Sequence, residues 1–220
     1  MSEPRLYLGG SFDPIHLGHL RSIEQLREQL ALEKAFLLPA KISPLKSEPQ
    51  VSEQARLMML KLALQDYPHL YIDDQELKRD GKSYTWQTLR QLRDNYPDTP
   101  IIFAMGMDSL LSIDRWYHWQ QLTDLAHLVI FSRPSYHPQP NCEISHWLSA
   151  HQADSIQSLH QNLCGHIWLT QVQPYKISST ALRQSFSNGT FHDYQHLLPS
   201  SVYSYIVANS LYDLTIHEKP

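Results

Sequence analysis

The chain has 220 residues, of which 42% are hydrophobic, and this is enough apolar material to form one sizeable core in a single domain over residues 1–220. Its 18 basic and 22 acidic residues give a net charge of −4, which disfavours binding of long nucleic acids through bulk electrostatics. No signal-peptide pattern and no membrane-length apolar stretch is found, so we expect a protein without a membrane partner. Cys142 and Cys164 fit neither a disulfide framework nor a four-thiolate zinc site, and they predict a reducing, cytoplasmic location.

Short apolar runs alternate with segments of helical periodicity along most of the chain. This alternation is typical of an α/β protein with a parallel sheet. We therefore predict a Rossmann-like, doubly wound parallel sheet with helices on both faces and a small helical C-terminal part over residues 178–220. The polar, proline-rich beginning of segment 134–166 makes that segment a candidate variable insertion. Strands are predicted at 5–10, 35–38, 70–72, 101–105, 127–131 and 167–169, and helices at 17–32, 52–66, 85–95, 178–187 and 200–209.

The first motif, G-G-S-F-D-P-I-H-L-G-H at residues 9–19, lies between the first strand and the first helix. It is neither the G-x-G-x-x-G dinucleotide fingerprint nor a P-loop, because the G-K-[ST] sequence is absent. Its paired glycines let the backbone approach a bulky ligand, while His16 and His19 lie on one face of a helix start and are able to bind one phosphate. Gly18 is expected to leave room for a flat base. Alternatively, the histidines are ordinary polar residues or two metal ligands, although further ligands at a recognisable spacing are missing.

The second motif, K-I-S-S-T-A-L-R at residues 176–183, follows the last strand and opens a helix. Ser178 is a natural N-cap, and Ser179 and Thr180 add hydroxyls where backbone N–H groups lack partners. Arg183 lies four residues beyond Ser179 on the same face. This segment predicts a second anion site, and plain helix capping with a surface arginine is an equally good interpretation of it.

Together the two motifs resemble the nucleotidyltransferase superfamily with H-x-G-H and S-S-T-x-I-R signatures. More narrowly, the chain resembles bacterial nicotinate mononucleotide adenylyltransferases over nearly its whole length. Leu182 replaces the isoleucine of the second signature. The segments that narrow the resemblance are 39–46, 83–85, 106–109, 116–117 and 132–134.

This resemblance implies transfer of AMP from ATP to the 5′-phosphate of nicotinate mononucleotide, giving deamido-NAD and pyrophosphate. The catalytic residues would be His16, His19 and Arg183. The nicotinate ring would stack on Trp116. The ATP-binding residues would be Gly9, Gly10, Ser11, Phe12, His16, Gly18, His19, Lys46, Arg133, Ile177, Ser178, Ser179 and Arg183. The residues binding the mononucleotide would be Tyr84, Thr85, Gly106, Asp108, Trp116 and Tyr117.

Several of these residues also have a purely structural interpretation. Asp108 is a candidate cap of a short helix, and Thr85 is a candidate N-cap of the helix after it. Trp116, Tyr117 and Trp119 are candidates for an aromatic core cluster, and we expect Trp119 to be in the core.

The loop after the second strand departs from the family pattern. Ala40-Lys41 lacks the usual asparagine, and Leu45 replaces the usual histidine. Lys41 or Lys46 is therefore a candidate source of positive charge for a phosphate. For each of them, a lysine that is simply solvated in the loop is an equally good interpretation.

The proposed chemistry needs no general base, because a phosphate monoester is already largely dianionic at neutral pH. Mg²⁺ is expected to be carried by the ATP phosphates without a protein ligand set. We expect a monomer or small homo-oligomer whose partners are ATP and nicotinate mononucleotide. The alternatives are a phosphopantetheine adenylyltransferase and a nucleotide-binding sensor that has lost turnover.

Overall fold

In the computed structural model, which describes residues 2–45, 47–132, 139–173, 175 and 177–213, six parallel strands form one sheet. Their order across the sheet is β3-β2-β1-β4-β5-β6. Each strand lies within two residues of its predicted bounds, so the doubly wound α/β prediction is confirmed. The strands are β1 (Arg5–Gly10), β2 (Ala35–Pro39), β3 (Leu70–Ile72), β4 (Ile101–Gly106), β5 (His127–Ser132) and β6 (Ile167–Gln171).

Ten α-helices are found in the described residues, and half of them match the predicted ones. The first ends at Gln29 rather than Leu32, because Ala31 has a left-handed backbone that a helix does not continue through. The second ends at Ala63 and passes into a 3₁₀ turn over Leu64–Asp66. The helices are α1 (Leu17–Gln29), α2 (Glu53–Ala63), α3 (Gln75–Lys78), α4 (Thr85–Asn95), α5 (Met107–Leu110), α6 (Leu122–Leu125), α7 (Cys142–His151), α8 (Ile156–Gln161), α9 (Ser179–Ser187) and α10 (Ser200–Ala208).

The sheet is covered on both faces by apolar side chains of alternating strand positions. In β1, Leu6 and Leu8 belong to the cluster that packs with α1, α2, α9 and α10. Tyr7, between them, belongs to the cluster that packs with α4, α6 and α7. This alternation follows from the two-residue period of a strand, and it is why every central strand is apolar on both faces. Trp119 lies in the second cluster and is 8% exposed, which confirms its predicted core position.

The segment proposed as a variable insertion contributes to this second cluster. Ile144 and Trp147 of α7 are buried in it, while residues 134–138 lie outside the described part of the chain. Whether the segment is variable stays a prediction. No helix in the described ranges is long and apolar enough to cross a membrane.

The position of the site follows from the strand order. β1 lies between β2 and β4, so the chain leaves β1 toward one side of the sheet and later returns on the other side. Loops after neighbouring strands of this kind diverge and leave a crevice beyond the carboxyl ends of the strands. Gly10 ends β1 and Gly106 ends β4, and the crevice therefore opens between the two.

Candidate active site

A cleft with a volume of about 430 Å³ opens beyond the carboxyl ends of β1 and β4. Its walls come from the first motif, the start of α4, the end of β4 and the aromatic segment after α5, which contains Trp116 and Tyr117. Lys46 and Arg133 lie outside the described residues, so their predicted roles are not addressed by the structure. The predicted site residues that line the cleft are Gly9, Gly10, Ser11, His19, Tyr84, Thr85, Gly106, Asp108, Trp116 and Tyr117.

The two histidines of the first motif are stacked on each other at the start of α1. Their ring centroids are 3.7 Å apart with an interplanar angle of 21°, and Phe12 meets His19 edge-on. His16 is the N-cap of α1 and is 4% exposed, and its Nδ1 atom is buried without a hydrogen-bond partner. Burial lowers the pKa of His16 to about 3. The His16 imidazole is therefore neutral at physiological pH and offers one N–H donor and one acceptor.

Gly18 has less open space beside it than the sequence indicated. A Cβ atom built on Gly18 would lie 2.9 Å from Nδ1 of His16 and 3.0 Å from Cγ2 of Ile177. The space in that direction holds the imidazole of the first motif and a methyl group of the second, which corrects the expectation of free room for a base. Gly18 is required instead because it lets the two motifs pack closely.

The second motif is hydrogen-bonded directly to the first. The Ser179 hydroxyl donates to the carbonyl of Pro14 at 2.9 Å, and Nη1 of Arg183 donates to the carbonyl of Asp13 at 2.6 Å. Ser178 caps α9 by accepting from the backbone N–H of Ala181. The capping interpretation is therefore confirmed for Ser178. The interpretation of Arg183 as a surface arginine is wrong, because its side chain is only 18% exposed.

The aromatic segment forms part of the cleft wall rather than a closed core. Tyr117 is 48% exposed and lies against Tyr84 with ring centroids 5.2 Å apart. Trp116 is partly buried at the edge of the core and faces the cleft. The core interpretation is thus right for Trp119 and wrong for Tyr117.

Neither proposed capping role in the cleft is observed. Thr85 is the first residue of α4, and the N-cap is Tyr84, which makes no side-chain capping hydrogen bond. Asp108 lies within the first turn of α5, whose N-cap is Gly106. Thr85 and Asp108 thus lie in the first turns of α4 and α5, and both residues line the cleft.

The structure reveals a buried arginine that the sequence analysis did not single out. Arg56 is fully buried, and its guanidinium donates to the carbonyls of Ser11 and Ala40, both at 2.7 Å, and of Lys41 at 3.2 Å. It ties the first motif to the loop after β2. The sequence contains a signal for the burial of Arg56, because helical spacing places it on the apolar face of α2 together with Met59, three residues later.

A second buried charge, Glu76, lines the cleft beside the start of α4. The Thr88 hydroxyl donates to its carboxyl at 2.6 Å, and Ser83 accepts a hydrogen bond from the backbone N–H of Lys41. Burial raises the pKa of Glu76, and hydrogen bonds from Thr88 and Ser83 oppose this shift. The Lys41 ammonium lies 3.6 Å from Asp80, so it is engaged by a carboxylate at the rim.

The donors that meet around the first motif suit phosphate oxygens better than a metal ion. They are imidazole, hydroxyl and guanidinium groups, together with helix N-termini. Within the described ranges, no group of three or more His, Cys, Asp or Glu side chains is arranged to hold a metal ion. Mg²⁺ is prone to keep its water and to bind substrate phosphates, so this donor set suits a Mg²⁺-nucleotide substrate.

Comparison with known proteins gives consistent matches over most of the chain. The family model described as cytidylyltransferase-like matches residues 7–185. A probable nicotinate-nucleotide adenylyltransferase of Aeromonas salmonicida is 44% identical over 212 residues, which are 96% of this chain and 98% of that protein. Its counterpart in Psychromonas ingrahamii is 39% identical over 206 residues, which are 94% of this chain and 95% of the relative.

Solved structures of other proteins have a fold similar to that of this chain. The nicotinic acid mononucleotide adenylyltransferase of Plasmodium falciparum, in its complex with NaAD, superposes with a TM-score of 0.75. The match covers 98% of this chain and 100% of the other at 17% identity. At that identity the likeness concerns the fold alone.

Proposed function

We propose that the chain makes deamido-NAD, because it belongs to the cytidylyltransferase-like family and, within it, to the nicotinate-nucleotide adenylyltransferases. The relative from Aeromonas salmonicida is 44% identical to it over 212 residues. In the proposed reaction AMP moves from ATP to the 5′-phosphate of nicotinate mononucleotide, and pyrophosphate leaves. The observation that carries the proposal is the direct contact between the two motifs. Ser179 and Arg183 donate to the backbone of Pro14 and Asp13, although these partners are 165 and 170 residues apart in sequence.

ATP is proposed to bind across this junction. Gly9 and Gly10 line the cleft at the end of β1 and remain proposed ATP contacts, although the Phe103 and Phe12 rings occupy the space in which their Cβ atoms would lie. Phe12, Gly18 and Ile177 pack the loop beside the nucleotide. His16, His19 and Arg183 donate to the phosphates, and the start of α9 with Ser178 and Ser179 adds backbone N–H groups. Lys46 and Arg133 remain proposed nucleotide contacts. The Mg²⁺ ion is part of this substrate, held by its phosphates and by water.

The chemical step balances without a protein base. An oxygen of the mononucleotide phosphate forms a bond to the α-phosphorus of ATP, the bond from that phosphorus to the β-bridging oxygen breaks, and pyrophosphate carries away the electron pair. Because the attacking phosphate is already largely dianionic, no proton has to be removed from it. The side chains therefore act by alignment and by stabilising charge on the moving oxygens.

Nicotinate mononucleotide is proposed to bind in the part of the cleft lined by the start of α4, the end of β4 and the residues Trp116 and Tyr117. Trp116 stacks on the nicotinate ring, with Tyr84 and Tyr117 at its edge, and Gly106 and Asp108 hold the ribose hydroxyls. The ring carboxylate faces Thr85 and the amides around Tyr117. An anion at the start of α4 is favoured by the helix dipole, and this supports the acid over the amide as acceptor.

The cell compartment and assembly belong to the same proposal. Cys142 and Cys164 are both free thiols, which supports a reducing, cytoplasmic location. A monomer or small homo-oligomer remains the expected assembly.

The test is pyrophosphate release from ATP with each acceptor supplied separately. We expect release with nicotinate mononucleotide, far less with nicotinamide mononucleotide, and none with phosphopantetheine. Release with phosphopantetheine alone would identify the alternative adenylyltransferase, and nucleotide binding without release from any acceptor would identify a sensor.

A matched pair of histidine variants tests the catalytic assignment. His19→Ala should lose about 100-fold or more in turnover while keeping the circular dichroism spectrum, because it removes a preorganised phosphate donor. His146→Ala, which changes an exposed histidine of α7, is the control and should retain full turnover. Near-normal turnover of the folded His19→Ala protein would refute the assigned role.

A further inference from the structure

Asp13 of the first motif is a buried carboxylate on which three distant segments converge. It is 3% exposed. The Tyr212 hydroxyl donates to Oδ1 at 2.8 Å, and the backbone N–H of Gln50 donates to Oδ2 at 2.9 Å. Arg183 donates to the carbonyl of Asp13 at 2.6 Å, and its Nη1 lies 3.8 Å from Oδ2. The first motif, the loop before α2, the second motif and the C-terminal segment thus meet at one residue.

Tyr212 is held firmly in place for this contact. Its ring stacks on Phe186 with centroids 5.5 Å apart, and the residue is 5% exposed. Its backbone is left-handed, at φ 63° and ψ 31°, a conformation that a tyrosine rarely adopts without compensating contacts. Burial, followed by the charge of Asp13, raises the pKa of the Tyr212 hydroxyl, so the hydroxyl keeps its proton and donates.

The two hydrogen bonds to the Asp13 carboxylate affect the position of Arg183. Because Tyr212 and Gln50 each donate to one oxygen, the buried carboxylate is satisfied without a direct hydrogen bond from the guanidinium. Arg183 instead contacts the backbone carbonyl and is not drawn fully onto the side chain. Without the Tyr212 hydroxyl, Oδ1 of Asp13 would lose its hydrogen-bond donor. Among the described residues that hydrogen-bond to Asp13, Arg183 is the cation, and its guanidinium could take the place of the lost hydroxyl.

We propose that Tyr212 is a positioning residue that acts through Asp13 and keeps the Arg183 guanidinium available to the ATP phosphates. The proposal rests on the proposed function, since it assigns a role in the same nucleotide site. It gives the segment around Tyr212 a part in ATP binding, although none of its described residues, 211–213, lines the cleft.

The test uses the full chain with Tyr212→Phe, which removes the hydroxyl and keeps the ring stacked on Phe186. Tyr205→Phe, a change of a partly buried tyrosine on α10, is the matched control. We expect Tyr212→Phe to weaken ATP binding and to lower kcat/KM for ATP by about 10-fold, the loss typical of one hydrogen bond to a charged group. KM for nicotinate mononucleotide should change by less than about 2-fold, and Tyr205→Phe should match the wild type.

A double-mutant cycle shows whether the hydroxyl acts through Arg183. In an Arg183→Ala background, Tyr212→Phe should change ATP affinity by less than about 2-fold, because the residue that it positions is gone. An equal loss in both backgrounds, or no loss in the single variant, would overturn the positioning role.

Calorimetric titration with ATP alone separates this proposal from the proposed function. A wild-type protein that binds ATP but releases no pyrophosphate would refute the transferase, while the coupling between Tyr212 and Arg183 in ATP affinity would still decide the positioning role. A wild-type protein that does not bind ATP would overturn both.

Discussion

Adding one methyl group at Gly18 tests whether the close packing of the two motifs matters for activity. In Gly18→Ala the new Cβ would lie 2.9 Å from Nδ1 and 3.0 Å from Cε1 of His16, and 3.0 Å from Cγ2 of Ile177. Ordinary van der Waals contacts of a Cβ begin near 3.4 Å, so the imidazole has to move by about half an ångström. His16 is buried and stacked on His19, and it therefore has little freedom to move alone.

Folding and activity should respond differently to this change. Overpacking costs about 1–3 kcal/mol, whereas replacing glycine by alanine in a helix returns about 1 kcal/mol, so the net destabilisation should be about 0–2 kcal/mol. Activity is more sensitive, because misplacing a group by about 1 Å is able to cost about 100-fold in rate. We expect turnover of Gly18→Ala to fall by about 10- to 100-fold while the protein stays folded.

The assay pairs urea denaturation with steady-state pyrophosphate release. Glu28→Ala, an exposed change on the same helix, is the control and should leave both quantities close to wild type. A Gly18→Ala protein with wild-type turnover would show that the positions of His16 and Ile177 are not critical, and the reasoning from the packed junction would then be wrong.

Two further predictions concern stability. Arg56→Met should lower the free energy of unfolding by about 3 kcal/mol or more, because three partly buried carbonyl oxygens lose their donor. Arg90→Met on the exposed face of α4 should cost less than about 0.5 kcal/mol, and a small effect of Arg56→Met in denaturant titrations would contradict the prediction. Burial lowers the pKa of His16 to about 3 and that of His127 to about 4. Between pH 6.5 and 5.5 the unfolded chain therefore takes up protons that the folded chain does not. Over this interval the free energy of unfolding should fall by about 2 kcal/mol. In His127→Gln that fall should be about halved, and the same pH dependence as in the wild type would exclude His127 as a source.

The sheet was predictable because its strands carry local signals. β1 and β4 are short apolar runs that stop at glycines, and β2 stops at Pro39, so their ends were visible in the sequence. The parallel topology then requires that the loops after these strands lie at one edge. The proximity of the first motif to the segments at Gly106 and Trp116 therefore followed from the order of elements, without knowledge of any side-chain contact.

The contacts that hold the site together were much less visible. The partners Asp13 and Tyr212 are 199 residues apart, and neither has a local pattern that marks it. The packing beside Gly18 likewise depends on Ile177, which comes from the far end of the chain. Sequence periodicity reports which face of an element is buried, but it contains no information about which distant residue meets it.

The charge distribution around the two motifs makes the position of one guanidinium, that of Arg183, important for phosphate binding. His16 is neutral, and in the described residues of the two motifs Arg183 is the one arginine or lysine side chain. Besides the His19 imidazole, the remaining phosphate donors there are hydroxyls and the N-termini of α1 and α9, which carry partial charges only. A triphosphate tail brings several negative charges into this junction, so Arg183 contributes a large share of the protein's compensating field. The Asp13 carboxylate, 3.8 Å away, offsets part of that field, and we expect the hydrogen bonds from Tyr212 and Gln50 to keep the guanidinium from closing fully onto it.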